Sequence, residues 1–339
     1  VAVGLSLSGG GRGEEGSYAL EFLTVGVGAR AAAMGNAHVA VADDATAAYW
    51  NPAGLAAIRR RAFAAQHADT FQQGPRSLSA HGLVQYNFAN VAFPFEHGAK
   101  VAVSWVRMGI DGIPRVTFED VNGDGVLGTY LDRNLNGRKD PGEYYVDRPV
   151  VAEAFANTDQ AVLVSYARHA AETLAVGGTL KLVRQSLYVN HGTGVGADVG
   201  VVWRIGRHLR AGAVVQDVAG TRVRWDTPSR PTFTRHWNLR LGIAAGSATR
   251  LISLLAAADM DVRRTTRLSE DVGPSRWHAG VEMTLLRTAA LRVGFDAGAF
   301  TAGAGFRIPL GDAAVAADYA FTTHPDLGDG QRLSLTGAF

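Results

Sequence analysis

The chain has 339 residues, with 33 Lys and Arg against 31 Asp and Glu, a formal charge of +2 and no cysteine. Balanced, scattered charge offers no basic face for nucleic acid, and the lack of thiols excludes disulfide staples and thiolate metal sites. An apolar share of 47% and a mean hydropathy of +0.02 exclude a disordered chain, while no run approaches the ~20 apolar residues that a helical membrane span requires.

In chain order, residues 1–17 are rich in Gly and Ser and read as a flexible N-terminus. The opening at Val1 has neither a basic start nor a long apolar core, as expected of a chain whose export signal has been removed. From Phe22 to Ile58 the sequence is rich in Ala and Gly and does not alternate. Ala29–Met34 and Ala45–Trp50 suit short helical turns, with Pro52 stopping the second.

Beyond this block a period of two takes over. Trp237, Leu239, Leu241 and Ile243 alternate with His236, Asn238, Arg240 and Gly242, and Leu333, Leu335, Gly337 and Phe339 with Arg332, Ser334, Thr336 and Ala338. Such a pattern gives each strand one oily and one polar face. Fourteen segments of this kind follow, near 61–70, 81–95, 99–109, 157–168, 173–186, 193–205, 208–219, 235–246, 249–261, 275–286, 290–298, 299–309, 313–323 and 331–339. Most approach the ~9–11 residues that cross a bilayer at a tilt. Trp105, Trp203, Trp237 and Trp277 are placed to anchor at the membrane interfaces. The fold predicted is all-β: a 14-stranded antiparallel transmembrane barrel over residues 61–339.

Short connections are expected at His97-Gly98, Gly206-Arg207, Arg287-Thr288 and Gly311-Asp312, and long ones at 110–156, 220–234, 262–274 and 324–330. An even strand count with this asymmetry puts both termini and the short turns in the periplasm of a bacterial outer membrane, with the long loops outside.

The 110–156 loop carries a motif. Asp132, Asn134, Asn136, Gly137, Arg138, Asp140 and Glu143 fit the twelve-residue calcium loop at every specified position. Five side chains and the Arg138 carbonyl supply the hard oxygen donors that Ca2+ prefers, and Gly137 permits the sharp turn. Asp120, Asn122 and Asp124 begin a second copy, which departs at its twelfth position, where Leu131 stands. Flanking helices are not expected, because Pro141 and Gly142 discourage one, so bound Ca2+ would order the loop rather than act as a sensor.

Other patterns are discounted. Gly26, Gly28 and Ala31 imitate a dinucleotide fingerprint without its strand–turn–helix setting, and neither a zinc-protease helix motif nor a serine elbow is found, so no enzyme is expected. Arg240, Glu282, Arg292, Asp296, Arg307, Asp318 and Arg332 fall on the inward face, where they should pair with one another or with the non-alternating block.

Several blocks resemble a known family. The run Phe22–Ala37, followed by Ala42-Asp43-Asp44-Ala45 and Tyr49-Trp50-Asn51-Pro52-Ala53-Gly54-Leu55, is similar to the opening of PorV/PorQ outer-membrane proteins, relatives of FadL. Leu291-Arg292-Val293-Gly294-Phe295, Gly303-Ala304-Gly305-Phe306-Arg307 and Asp318-Tyr319-Ala320-Phe321 resemble that family's closing strands. The resemblance implies that residues 18–60 form a hatch in or beneath the lumen, with its Asn-Pro-Ala motif at Asn51, Pro52 and Ala53. It also implies a PorV-like role in type IX secretion, binding or shuttling secreted or cell-surface proteins with a translocon subunit as a further partner. Two alternatives are a FadL-like transporter of hydrophobic small molecules and a structural barrel that anchors surface assemblies.

Overall fold

Side chains that alternate along each strand become the two faces of a closed wall. The computed structural model describes residues 20–70, 84–121, 123, 125–132, 141, 143–263, 275–323 and 329–339. Its strands are β1 (Ala62–Thr70), β2 (Val84–Pro94), β3 (Lys100–Glu119), β4 (Arg148–Ala171), β5 (Leu174–Leu187), β6 (Asn190–Ile205), β7 (Leu209–Gln216) and β8 (Thr221–Trp225). They continue as β9 (Thr232–Arg235), β10 (Asn238–Ala248), β11 (Ile252–Arg263), β12 (Ser275–Leu285), β13 (Ala289–Asp296), β14 (Ala299–Leu310), β15 (Ala313–Thr322) and β16 (Gly330–Ala338).

Neighbouring strands pair antiparallel, and β1 pairs with both β2 and β16, which closes the wall as a barrel of 14 strands. β8 and β9 are not separate staves. β7 pairs with β6 over Val199–Ile205, whereas β8 takes over opposite Gly192–Val195 after a break at residues 217–220 that shifts the register. β9, paired with β8, leads through residues 236–237 into β10, so the β7–β8 and β9–β10 staves are both kinked. The expected long loop at 220–234 is therefore mostly this hairpin.

The expected loop at 110–156 is also shorter than its sequence suggested. β3 and β4 stay paired past bulges at Ile110/Ile113 and Arg115/Val116, out to Glu119 opposite Arg148. Val116, Thr117 and Phe118 lie opposite Val151, Val150 and Pro149, so β-branched and aromatic pairs extend the ladder where Gly112 and Pro114 read as turn chemistry. Connection length does not alternate strictly either. The turns after β5 and β13 are tight, with Tyr188 at φ 54° and Ala297 at φ 47°.

The faces sort as the period of two requires. Leu241, Ile243, Val281, Leu333 and Leu335 are exposed on the outer wall, with Trp105, Trp203, Trp237 and Trp277 on the same surface. Arg240, His278, Glu282, Arg292, Arg332 and Ser334 are buried inside. No helix among the described residues is long and apolar enough to cross a membrane. The helical pieces are α1 (Ala29–Ala33), α2 (Ala47–Trp50) and short 3-10 turns, chiefly at Pro52–Ala57. All belong to the hatch or to one turn, as the non-alternating block anticipated.

The two faces should respond oppositely to charge. Leu241→Arg near the bilayer midplane is expected to cost ~2–4 kcal/mol in a reversible unfolding assay in lipid. Thr284→Arg, on a residue lining a water-open vestibule, should cost under ~1 kcal/mol. Equal penalties would contradict this facing.

Candidate functional site

A chain segment without regular structure carries backbone groups that no ladder satisfies, and inside a lumen it must find them partners. The hatch, residues 20–58, finds them on the wall. Ser334 Oγ accepts from Ala29 N at 3.0 Å, Gln66 accepts from Gly28 N, and the Asp259 carboxylate accepts from His38 N and Val39 N at 2.7 and 2.9 Å. Thr301 Oγ1 accepts from Gly35 N and donates to Ala33 O, both at 3.1 Å. Arginines serve the carbonyls: Arg332 donates to Gly26 O and Val25 O, Arg240 to Asn36 O and Arg235 to Leu20 O. Within the hatch, Tyr49 Oη donates to Leu23 O and accepts from Gly26 N, and Trp50 Nε1 donates to Val27 O.

Asn51 joins three elements. It is fully buried, ends α2 and begins the Pro52–Ala57 turn. Its Nδ2 donates to Val39 O and to Val201 O of β6, each at 3.0 Å, while Oδ1 accepts from Ala53 N at 3.2 Å. The Asn-Pro-Ala motif is thus a structural joint between two parts of the hatch and the wall.

Close seating needs a wall without side chains at the contact. Inward positions on seven staves are glycine: Gly177, Gly200, Gly212, Gly242, Gly280, Gly294 and Gly303. A Cβ at Gly177 would lie 2.6 Å from Ala53 N, and one at Gly212 would lie 2.7 Å from Val39 O. The register sets Gly177 opposite Gly200, Gly212 opposite Gly242 and Gly280 opposite Gly294, so the glycines form a girdle against which the hatch backbone lies. On the outer side of this wall, beside Gly212 and Gly242, an apolar groove of about 770 Å³ runs between Trp203 and Trp277, floored by Ala211, Ala213 and Ala258.

Inward charges pair in three groups. Arg30 of α1 grips Glu282 with two bonds of 2.9 Å and reaches Asp43 at 2.9 Å, while Arg292 joins Glu282 at 2.6 Å to Asp318 at 2.7 Å. Arg240 lies 3.1 Å from Asp261 and 3.5 Å from Asp259, and His278 lies 2.7 Å from Asp296. Lys181 bridges Asp198 and Asp217, and Arg235 meets Asp217 at 2.9 Å, at the break between β7 and β8. Of the seven charges expected on the inward face, six pair as anticipated with the wall or the hatch. Arg307 instead stands exposed at the short-turn end.

The hatch divides the lumen. Toward the long loops, Leu20, Phe22, Tyr49 and Trp50 pack with Tyr86 and Phe88 in an apolar cluster. Toward the short turns, a vestibule of about 970 Å³ opens, lined by Arg30, Asp43, Glu282 and other charged residues.

Of the calcium-loop positions, Asn122, Asp124, Asn134, Asn136, Arg138 and Asp140 lie outside the described residues. Asp120 accepts from Gly123 N at 2.6 Å and from Gly125 N at 2.8 Å. A bridge pairs Tyr130 with Tyr145, and Leu131 N donates to Tyr144 O at 3.0 Å; continued one step, this register sets Asp132 opposite Glu143, the first and twelfth positions of the motif. No cluster of three or more His, Asp or Glu placed to hold a metal occurs among the described residues. Asp147, which the motif does not include, ties the loop's base: it accepts from Thr129 Oγ1 at 2.7 Å, Thr129 N at 2.9 Å and Val121 N at 3.2 Å. These bonds, led by the Thr129 hydroxyl, hold its carboxyl below the usual range.

The sequence matches no protein-family model and no curated protein. Among solved structures, it is similar to the Ralstonia pickettii toluene transporter TbuX, with a TM-score of 0.52, 13% identity, and coverage of 92% of this chain and 97% of that one. The CymD monoaromatic hydrocarbon channel gives a TM-score of 0.54 at 12% identity, covering 93% and 98%. The Pseudomonas putida toluene transporter TodX gives 0.54 at 10% identity, covering 92% and 98%. The chain therefore shares the fold of these barrels. The narrower PorV likeness rests on the sequence blocks.

Removing the joint should loosen the hatch. Asn51→Ala leaves Val39 O, Val201 O and Ala53 N without their partner, and each unsatisfied buried group costs ~1–3 kcal/mol. The variant should lose several degrees in thermal denaturation and expose the hatch to protease while its β circular dichroism persists. Unchanged melting and protection would show that the motif carries no structural role.

Proposed function

We propose that this chain is an outer-membrane transporter, not an enzyme, that admits an apolar small molecule, with the hatch as its gate. The observation that carries this reading is the whole-length likeness to barrels described as toluene transporters and a monoaromatic hydrocarbon channel. The lumen is compatible with it: an apolar aromatic cluster on one side of the hatch, a water-open vestibule on the other, and between them contacts made largely by exchangeable hydrogen bonds and ion pairs. In this reading the short turns and both termini face the periplasm.

A second reading, the PorV-like binding of secreted or surface proteins, is favoured by the opening sequence block and by the arm beyond the bulge in β3. There Val116, Val121, Val126, Leu127, Tyr144 and Val151 are exposed above the wall, more apolar surface than a free loop needs. Uptake of labelled toluene and of a labelled long-chain fatty acid by cells carrying the barrel, against cells with an empty vector, separates the two. Faster uptake of either compound supports transport. No uptake, with a protein captured through the arm and lost on Val126→Ser/Leu127→Ser, supports the second reading.

We also infer that the outer loop takes Ca2+ through Asp132, Asn134, Asn136, the Arg138 carbonyl, Asp140 and Glu143, with Asp120, Asn122 and Asp124 as the partial second copy. The fit of the motif and the facing of Asp132 and Glu143 support it. Two neutral Asn ligands keep the charge modest, so affinity should fall at ~0.1–1 mM, the range of extracellular modules. Calorimetric titration should show binding that is lost in Asp132→Ala/Glu143→Ala, and chelator should expose the loop to protease without unfolding the barrel. Heat of binding retained in the double variant would return these residues to turn chemistry.

A further inference from the structure

The vestibule on the short-turn side has more cationic groups than its own carboxylates use. Eight arginines and five carboxylates line it. The inner charges are spoken for: Asp43 binds Arg30 and Arg210, Glu282 binds Arg30 and Arg292, Asp318 binds Arg292, and Asp44 lies 3.7 Å from Arg30. At the rim, Asp312 pairs with Arg60. Four arginines remain. Arg59, Arg250, Arg287 and Arg307 are exposed around the mouth, and their side chains form no ion pair or hydrogen bond among the described residues.

Their placement says what kind of anion they suit. Arg59 precedes β1, Arg250 and Arg287 sit in the turns after β10 and β12, and Arg307 is on the inward face of β14, so they ring a concave mouth. A membrane headgroup would have its tails in the bilayer beyond the outer face of the wall, away from that mouth. In the same turn as Arg250, Leu251 is exposed at the mouth. Uncompensated guanidinium groups at a cleft focus a positive potential that favours an acidic ligand, and the exposed Leu251 beside them rewards one that also carries apolar side chains.

We propose that this mouth is a docking site for an acidic, partly apolar peptide segment of a soluble partner on the short-turn side of the membrane. The vestibule is common to the transport reading, but peptide docking does not require that reading. Charge complementarity sets the approach, and the vestibule of about 970 Å³ gives room for several residues of extended chain.

The test uses the full chain in nanodiscs of zwitterionic lipid and a fluorescent peptide of alternating Glu and Leu, read by anisotropy. The peptide should bind, and binding should weaken as ionic strength rises from low to physiological, as exposed charges are screened. The Arg59→Gln/Arg250→Gln/Arg287→Gln/Arg307→Gln variant should bind at least about 30-fold more weakly, the product of four modest exposed contacts. Its migration in unboiled detergent gels should match the parent, and Arg250→Glu alone, in a turn whose side chain the fold does not use, should weaken binding in the same direction. Equal affinity in the four-fold variant overturns the proposal, as does equal binding of an alternating Lys and Leu peptide. Loss of peptide binding when the nanodisc lipid is phosphatidylglycerol also overturns it, because headgroups would then hold these arginines.

Discussion

The structure rests on one requirement: an irregular segment of backbone sits inside a closed wall, and its polar groups need partners there. Regular strands satisfy their own neighbours, and the barrel's closure leaves none of its edges open. The hatch has only two short helices and a few 3-10 turns, so wall side chains supply what a ladder would have. Asp259, Ser334, Thr301 and Gln66 serve its N–H groups, while Arg235, Arg240 and Arg332 serve its carbonyls. Apart from Arg307, the inward charges named above are held by these same hydrogen bonds or by ion pairs, which makes the charged lumen and the buried hatch two sides of one arrangement.

That arrangement explains why the fold was legible in the sequence and the interior only partly so. Alternation is local, and it set the staves well because a one-residue slip would turn every side chain to the wrong medium. It failed where strands were too short for a period to show: Thr221–Trp225 and Thr232–Arg235, separated by Thr227, Pro228, Ser229 and Pro231, read as a loop. In the arm of β3 and β4, Gly112 and Pro114 masked a ladder that bulges carry past them. The inward charges were visible as polar members of an oily repeat, but their partners were not, since Arg30 and Glu282 are 252 residues apart.

The glycine girdle was the least legible part. In each stave the glycine is one inward residue among others and resembles an ordinary small position. Only the register, with Gly212 opposite Gly242 and Gly280 opposite Gly294, joins them into a surface for Val39, Met34 and Gly35. The loop between β3 and β4 shows the reverse case. Its motif was explicit in sequence, whereas the part played by Asp147 in tying the loop's base depends on Thr129 and Val121, 18 and 26 residues away.

The hatch also constrains how the molecule is assembled. Ala29 bonds Ser334 across 305 positions of sequence, and Gly26 and Val25 bond Arg332 across 306 and 307, so the segment that fills the lumen depends on the stave that closes it. Without β16, that segment lacks these partners. The Ser334 and Arg332 contacts are therefore complete only with the β1–β16 seam in place, so a change that loosens that seam loosens the plug as well.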